Sequence, residues 1–101
     1  MNKILLGLIF ITSALFAGED YFVVTESQHQ TVHKFNMSKD GYVLVKKLPI
    51  GCGDVYLLDS KNKVLKGIPT QMTTLNEKLQ RGNYKLQVIA EYNDCNINVI
   101  Y

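Results

Sequence analysis

His29, His33 and Met37 stand at four-residue intervals, and their side chains are those best suited to hold a metal ion. On a helix this spacing would gather all three on one face as a donor set for copper or zinc. The β-branched Thr31 and Val32 disfavour that helix, and the Ser38-Lys39-Asp40-Gly41 turn that follows suits a strand. On a strand four residues span about 13 Å, too far for one ion, so partners from neighbouring strands would be required. Catalytic chemistry has less material. There is no Gly-x-Ser-x-Gly nucleophile motif, and the 9 acids are scattered, mostly at turns, where glycoside cleavage would need two in one cleft. The expectation is a chain with no catalytic residues and no cofactor.

Cys52 and Cys95 are the only cysteines and form no Cys-x-x-Cys. Their compartment decides their chemistry. Residues 1–17 carry Lys3, a largely apolar run over 4–16, and the small residues Ser13, Ala14 and Ala17, which is the pattern of a signal peptide cut after Ala17. That run is shorter than the roughly 20 apolar residues that span a bilayer, and the acidic Glu19-Asp20 follows it. The leader looks bacterial, and the expected destination is the periplasm or the cell exterior, with no membrane association after cleavage. In that oxidising setting an even cysteine count predicts one disulfide, Cys52–Cys95. A loop of that length contributes roughly 4 kcal/mol in the chain-entropy model.

Charge excludes other classes. The chain has 11 Lys+Arg against 9 Asp+Glu, a net +2, and loss of Lys3 leaves the remainder near neutral. No electrostatic footprint for nucleic acid or an anionic membrane remains. Lys46 and Lys47, with Lys61, Lys63 and Lys66 on the next hairpin, offer either a basic stripe or a solvated face that discourages edge pairing. Tyr42, Tyr56, Tyr92 and Tyr101 are candidate anchors for a protein or glycan partner, although alternation requires some of them to be core.

The elements that must position these side chains are short, β-branched and aromatic runs separated by turn residues, the pattern of an all-β sandwich. Strands are expected over 21–25, 31–37, 42–48, 54–59, 84–88 and 97–101, with a hairpin from 54–59 into Val64-Leu65. Asp40-Gly41 suggests a tight hairpin turn, and 54–59 a central strand covered on both faces. Residues 67–80 admit either a strand or a helical turn through Leu75 and Leu79. Phe35, Leu44, Val55, Leu57, Tyr84, Leu86, Val88, Ile97 and Val99 are the expected core. The fold class is an immunoglobulin-like or jelly-roll β-sandwich of about seven or eight strands, formed by residues 18–101 as one domain.

This order of elements resembles the bacterial pre-peptidase C-terminal domain. Phe35 before Asp40-Gly41, the Asp54-Val55-Tyr56-Leu57-Leu58-Asp59 strand, Val64-Leu65, Thr74-Leu75 and Gly82-Asn83-Tyr84-Lys85-Leu86-Gln87-Val88 carry the resemblance, over roughly residues 30–101. It implies a non-catalytic sandwich that serves as a binding or maturation module. Some related sandwiches carry calcium on loop acids, and Asp54 and Asp59 match the strand-flanking acids. Residues and resemblance together lead to a non-catalytic exported module that binds a protein or glycan of the cell envelope. The alternatives are an inhibitor or regulator of an envelope hydrolase, and a periplasmic metal-binding protein using His29, His33 and Met37.

Overall fold

Period-two alternation of more and less buried residues marks most of the eight strands of the computed structural model, which describes residues 18–101. The signal peptide expected at 1–17 lies outside the described residues. The strands are β1 (Glu19–Val24), β2 (Gln30–Met37), β3 (Gly41–Leu48), β4 (Gly53–Asp59), β5 (Val64–Ile68), β6 (Thr74–Leu79), β7 (Gly82–Ala90) and β8 (Cys95–Ile100). They form two four-stranded sheets, ordered β1-β8-β3-β6 and β2-β7-β4-β5, with every neighbouring pair antiparallel. Only β4 and β5 are joined as a hairpin. The other connections cross from one sheet to the other, which makes the sandwich a jelly roll.

The core lies between the sheets. Val24, Val43, Val45, Ile97 and Val99 from the first sheet meet Phe35, Val55, Leu57, Leu86, Val88 and Ala90 from the second, all buried. These are inward positions of a two-residue period, so a shift of one residue would turn each set to solvent. That is where β3 departs from expectation. Leu44 is half-buried on the outer face, and Val43, Val45 and Lys47 point inward. Adjacent lysines on a strand face opposite sides, so one must turn inward in either register, and an inward Leu44 would bring Lys46 with it. The molecule instead buries Lys47 completely, because carbonyl oxygens await its ammonium.

Other expectations shift for physical reasons. Asp40-Gly41 turns the chain but makes no hairpin, since β2 pairs with β7 and β3 with β6 and β8. The Asp40 carboxylate instead accepts the Arg81 amide at 2.8 Å, tying two inter-sheet corners together. Residues 67–80 contain no helical turn: β5 ends at Ile68 and β6 places Leu75 and Leu79 inward. β4 is central in its sheet, but its outer face is only partly covered, with Tyr56 half-buried over Gly67.

The two open sides of the sandwich are each closed by a polar pair. His33 of β2 meets Asp20 of β1 at 2.8 Å, and Lys66 of β5 meets Glu77 of β6 at 3.7 Å. At one end, Cys52 and Cys95 form the expected disulfide, with Cα atoms 5.4 Å apart, linking the entry of β4 to the start of β8 across the two sheets. Gly53 follows at φ 157°, and any Cβ there would collide with the Ile89 carbonyl, so β4 can approach β7 only through glycine.

Candidate binding site

The metal candidates separate. His29 sits exposed in the β1–β2 turn at φ 64°, where its carbonyl accepts the Ala90 amide at 2.8 Å. Met37 is buried in the core. His33 is half-buried, stacked on Phe22 with centroids 4.5 Å apart, and its Nε2 is hydrogen-bonded to Asp20. Asp54 and Asp59 also serve separate tasks, about 17 Å apart along β4 by strand rise. Asp54 accepts from the Thr70 hydroxyl at 2.7 Å, and Asp59 accepts the Lys61 and Lys63 amides at 2.9 Å to shape the β4–β5 hairpin. Among the described residues no three His, Cys, Asp or Glu side chains converge.

One polar cluster was not foreseen. The Asp20 carboxylate accepts from the Tyr101 hydroxyl at 3.0 Å as well as bonding His33. Burial, then this hydrogen bond and the carboxylate charge, push the Tyr101 phenol above its ordinary pKa. The sequence signal was available: Asp20, Phe22 and Val24 share the inward face of β1, and an inward acid needs a donor. Because Asp20 and His33 side chains remain about one-third exposed, the pair contributes little to stability. Asp20→Ala is expected to cost about 1 kcal/mol in a urea titration, most of it from the lost Tyr101 bond. A loss of several kcal/mol would mean that this side of the sandwich depends on Asp20 far more than its exposure implies.

Beside that cluster lies a shallow cup of about 570 Å³ lined by Lys34, Phe35, Asn36, Ser60, Asn83, Tyr84, Lys85 and Tyr101. The β2–β7 register builds it, setting Lys34 opposite Lys85, Phe35 opposite Tyr84, and Asn36 opposite Asn83. Phe35 packs against Tyr84 and Tyr101, with centroids 5.9 and 5.2 Å away. Tyr84 donates its hydroxyl to the Gln80 carbonyl at 2.7 Å and Asn36 donates to Asn83 at 2.8 Å, so the rings and amides are held in place. Lys34, Asn36, Asn83 and Lys85 face outward from the paired strands, and the alternating Phe35 and Tyr84 pack with Tyr101 against the core beneath them.

The candidate lysine stripe breaks up. Lys46 is exposed, Lys47 is buried, Lys66 is paired with Glu77, and Lys61 and Lys63 stay on the exposed hairpin. Among the candidate tyrosines, Tyr42 and Tyr92 are exposed, Tyr56 and Tyr101 half-buried. Sequence reading did not single out Lys34, Lys85, Asn36 or Asn83. Their alternation with core residues marked them only as outward-facing, and the pairing that brings them together spans two distant strands.

No protein-family model matches the chain, and no curated protein sequence matches it. Solved structures do. The pre-peptidase C-terminal domain of collagenase from Bacillus anthracis aligns over 82% of this chain and 85% of its own, with a TM-score of 0.61 and 16% identity. A periplasmic inhibitor of g-type lysozyme from Aeromonas hydrophila aligns over 87% and 86%, with a TM-score of 0.60 and 8% identity. At such identities the likeness is one of fold. The resemblance read from the sequence is met in three dimensions: this chain is a β-sandwich similar to the pre-peptidase C-terminal domain.

Proposed function

We propose that this chain is a non-catalytic, exported bacterial binding module of the periplasm or cell surface, with the β2–β7 cup as its recognition surface for a protein or glycan of the envelope. The cup carries the reading. Amides and ammonium groups lie together there on the outward face of the paired strands, at a cavity that Tyr84 and Tyr101 also line. The disulfide supports export, since such bonds persist in oxidising compartments. The similarity in fold to a pre-peptidase C-terminal domain supports a module without chemistry of its own. A second reading, an inhibitor or regulator of an envelope hydrolase, draws support from the similarity to a periplasmic lysozyme inhibitor.

Amide chemical-shift mapping with separately purified envelope glycan and envelope protein tests the proposal. Saturable, reversible shifts at Lys34, Asn83, Tyr84 and Lys85, with the added material chemically unchanged, are expected. Turnover of that material, or shifts confined to the β1-β8-β3-β6 sheet, would overturn it. A hydrolase titrated to a one-to-one end point of lost activity would move the assignment to the inhibitor reading.

A further inference from the structure

We infer that the outer face of the β1-β8-β3-β6 sheet docks a second copy of this chain, packed sheet on sheet about a two-fold axis that runs along the strands between β8 and β3. The pairing registers set the outward side chains of this sheet in rows across its four strands. One row runs Glu19, Ile100, Leu44 and Asn76, from β1 through β8 and β3 to β6. The inward alternates of the same strands, Val24, Val43, Ile97 and Leu75 among them, fill the core, so this row and its neighbours share the opposite face. That face is apolar for an open one. Tyr21, Val23, Tyr42 and Leu48 occupy outward positions on it and are 45–68% exposed, four of the ten large apolar side chains so exposed among the described residues. Apolar side chains gathered on one sheet face mark an interaction surface, whereas scattered single ones need no explanation.

Charge selects the occupant. The acid of this face, Glu19, lies on β1, and its lysines, Lys46 and Lys78, lie on β3 and β6, the other half of the sheet. Among the described residues none of the three is in an ion pair: the pairs present are His33–Asp20 and Lys66–Glu77. Asn98 donates its Nδ2 to Glu19 Oε1 at 3.0 Å, which holds the carboxylate over the sheet and leaves Oε2 for a partner. A half-turn about the axis exchanges the two halves and lays β1 of each copy over β6 of the other. Each Glu19 then meets the second copy at its Asn76, one outward step of about 7 Å from its Lys78. The same half-turn sets Ile100 on Leu44 of the second copy and Leu44 on its Ile100. The result is an isologous contact with an apolar centre and opposite charges at the rim. Four strands about 4.8 Å apart and about 27 Å long offer roughly 500 Å² per copy, so the pair buries about 1,000 Å², the lower bound of a specific interface. The dimer is therefore weak and reversible. The β2–β7 cup belongs to the other sheet and stays open, so the dimer carries two cups facing away from each other whatever they bind.

Sedimentation equilibrium of the purified protein, from micromolar to millimolar concentration, tests the inference. A monomer–dimer equilibrium that weakens with added salt is expected. Glu19→Lys and the pair Lys46→Glu/Lys78→Glu each set like charges face to face, and each is expected to dimerise about tenfold more weakly than the wild type. A one-to-one mixture of the two variants is expected to regain wild-type affinity, because each then meets opposite charge across the two-fold axis. That recovery also shows that both variants fold. A wild type that stays monomeric to millimolar concentration would overturn the inference. So would charge variants that associate as the wild type does, which would place the dimer on another surface, or a mixture that stays as weak as its components. Amide shifts at Tyr21, Val23 and Leu48 on adding an envelope protein to a chain that remains monomeric alone would give the face to a different partner and reject the second copy.

Discussion

Lys47→Met is expected to lower the unfolding free energy by about 3 kcal/mol, although methionine is only one atom shorter than lysine and is the more apolar side chain. Lys47 has no exposed surface. Its ammonium donates to the carbonyls of Gly53, Pro69 and Thr70, the last two at 2.9 and 3.3 Å, so all three protons are used. Those oxygens belong to the first residue of β4 and to the β5–β6 connection, which this one cation ties together. Asp54, whose carboxylate the Thr70 hydroxyl also reaches, adds an attractive charge. Methionine would remove three charge-assisted bonds and leave the Gly53 carbonyl facing an apolar group. Pro69 and Thr70 would keep their bonds from the Met72 and Gly51 amides, which limits the loss. An equilibrium urea titration checks the figure. A change below about 1 kcal/mol would mean that water reaches the vacated oxygens.

The same lysine gives a signed pH dependence. Burial lowers its pKa, against a smaller raising effect from Asp54. The folded protein therefore releases this proton before the unfolded chain does. Between the lowered value and the ordinary 10.5 the unfolded state binds more protons, and stability rises with pH through that window. Tyr101 acts in the opposite sense above its ordinary 10.0: its raised pKa makes the unfolded chain lose the proton first, and that contribution declines as pH climbs through the folded value. The rise is expected to be absent in Lys47→Met and the decline absent in Tyr101→Phe, both read from urea midpoints between pH 8 and 11, a range set by those two ordinary values.

Cys95→Ser is expected to cost about 2–5 kcal/mol, the usual loss for a small disulfide-held domain. The bond spans 43 positions and joins one sheet to the other at the end where Lys47 is buried. Cys52 also anchors the β7–β8 connection, its carbonyl accepting the Glu91 and Tyr92 amides. A domain of this size has roughly 4–13 kcal/mol in total, so the variant is expected to remain folded at room temperature with a much lower urea midpoint. Reduced wild type should fall to the same midpoint; an unchanged midpoint under thiol would remove the disulfide from the stability account. Lys47→Met and Cys95→Ser act on one corner, so their effects are expected to couple when combined.

What could be read in the sequence was whatever follows from local alternation. The strand runs around Phe35, Val55 and Leu57, and Leu86 and Val88 carry their own period. Cys52 and Cys95 had only each other to pair with. Leu44 was misplaced because Tyr42-Val43-Leu44-Val45-Lys46-Lys47 is apolar or basic in both registers, and the deciding oxygens come from Gly53, Pro69 and Thr70. The cup and the Asp20–His33–Tyr101 cluster were hidden for the same reason. Their members meet through sheet pairing between strands far apart in the chain, such as Lys34 with Lys85.

The crossing connections also govern how the molecule comes into being. Only the β4–β5 hairpin can form from neighbouring chain, while β1 has no partner except β8, the last strand in sequence, and β8 also joins β1 to β3. The first sheet is therefore in pieces until the final strand has emerged and found two others. Loop closure must precede nearly every rewarding contact, which places folding in the slow range of milliseconds to seconds. Whatever the route, β8 is the strand that joins β1 to β3, so closure of the first sheet is expected to be a late step.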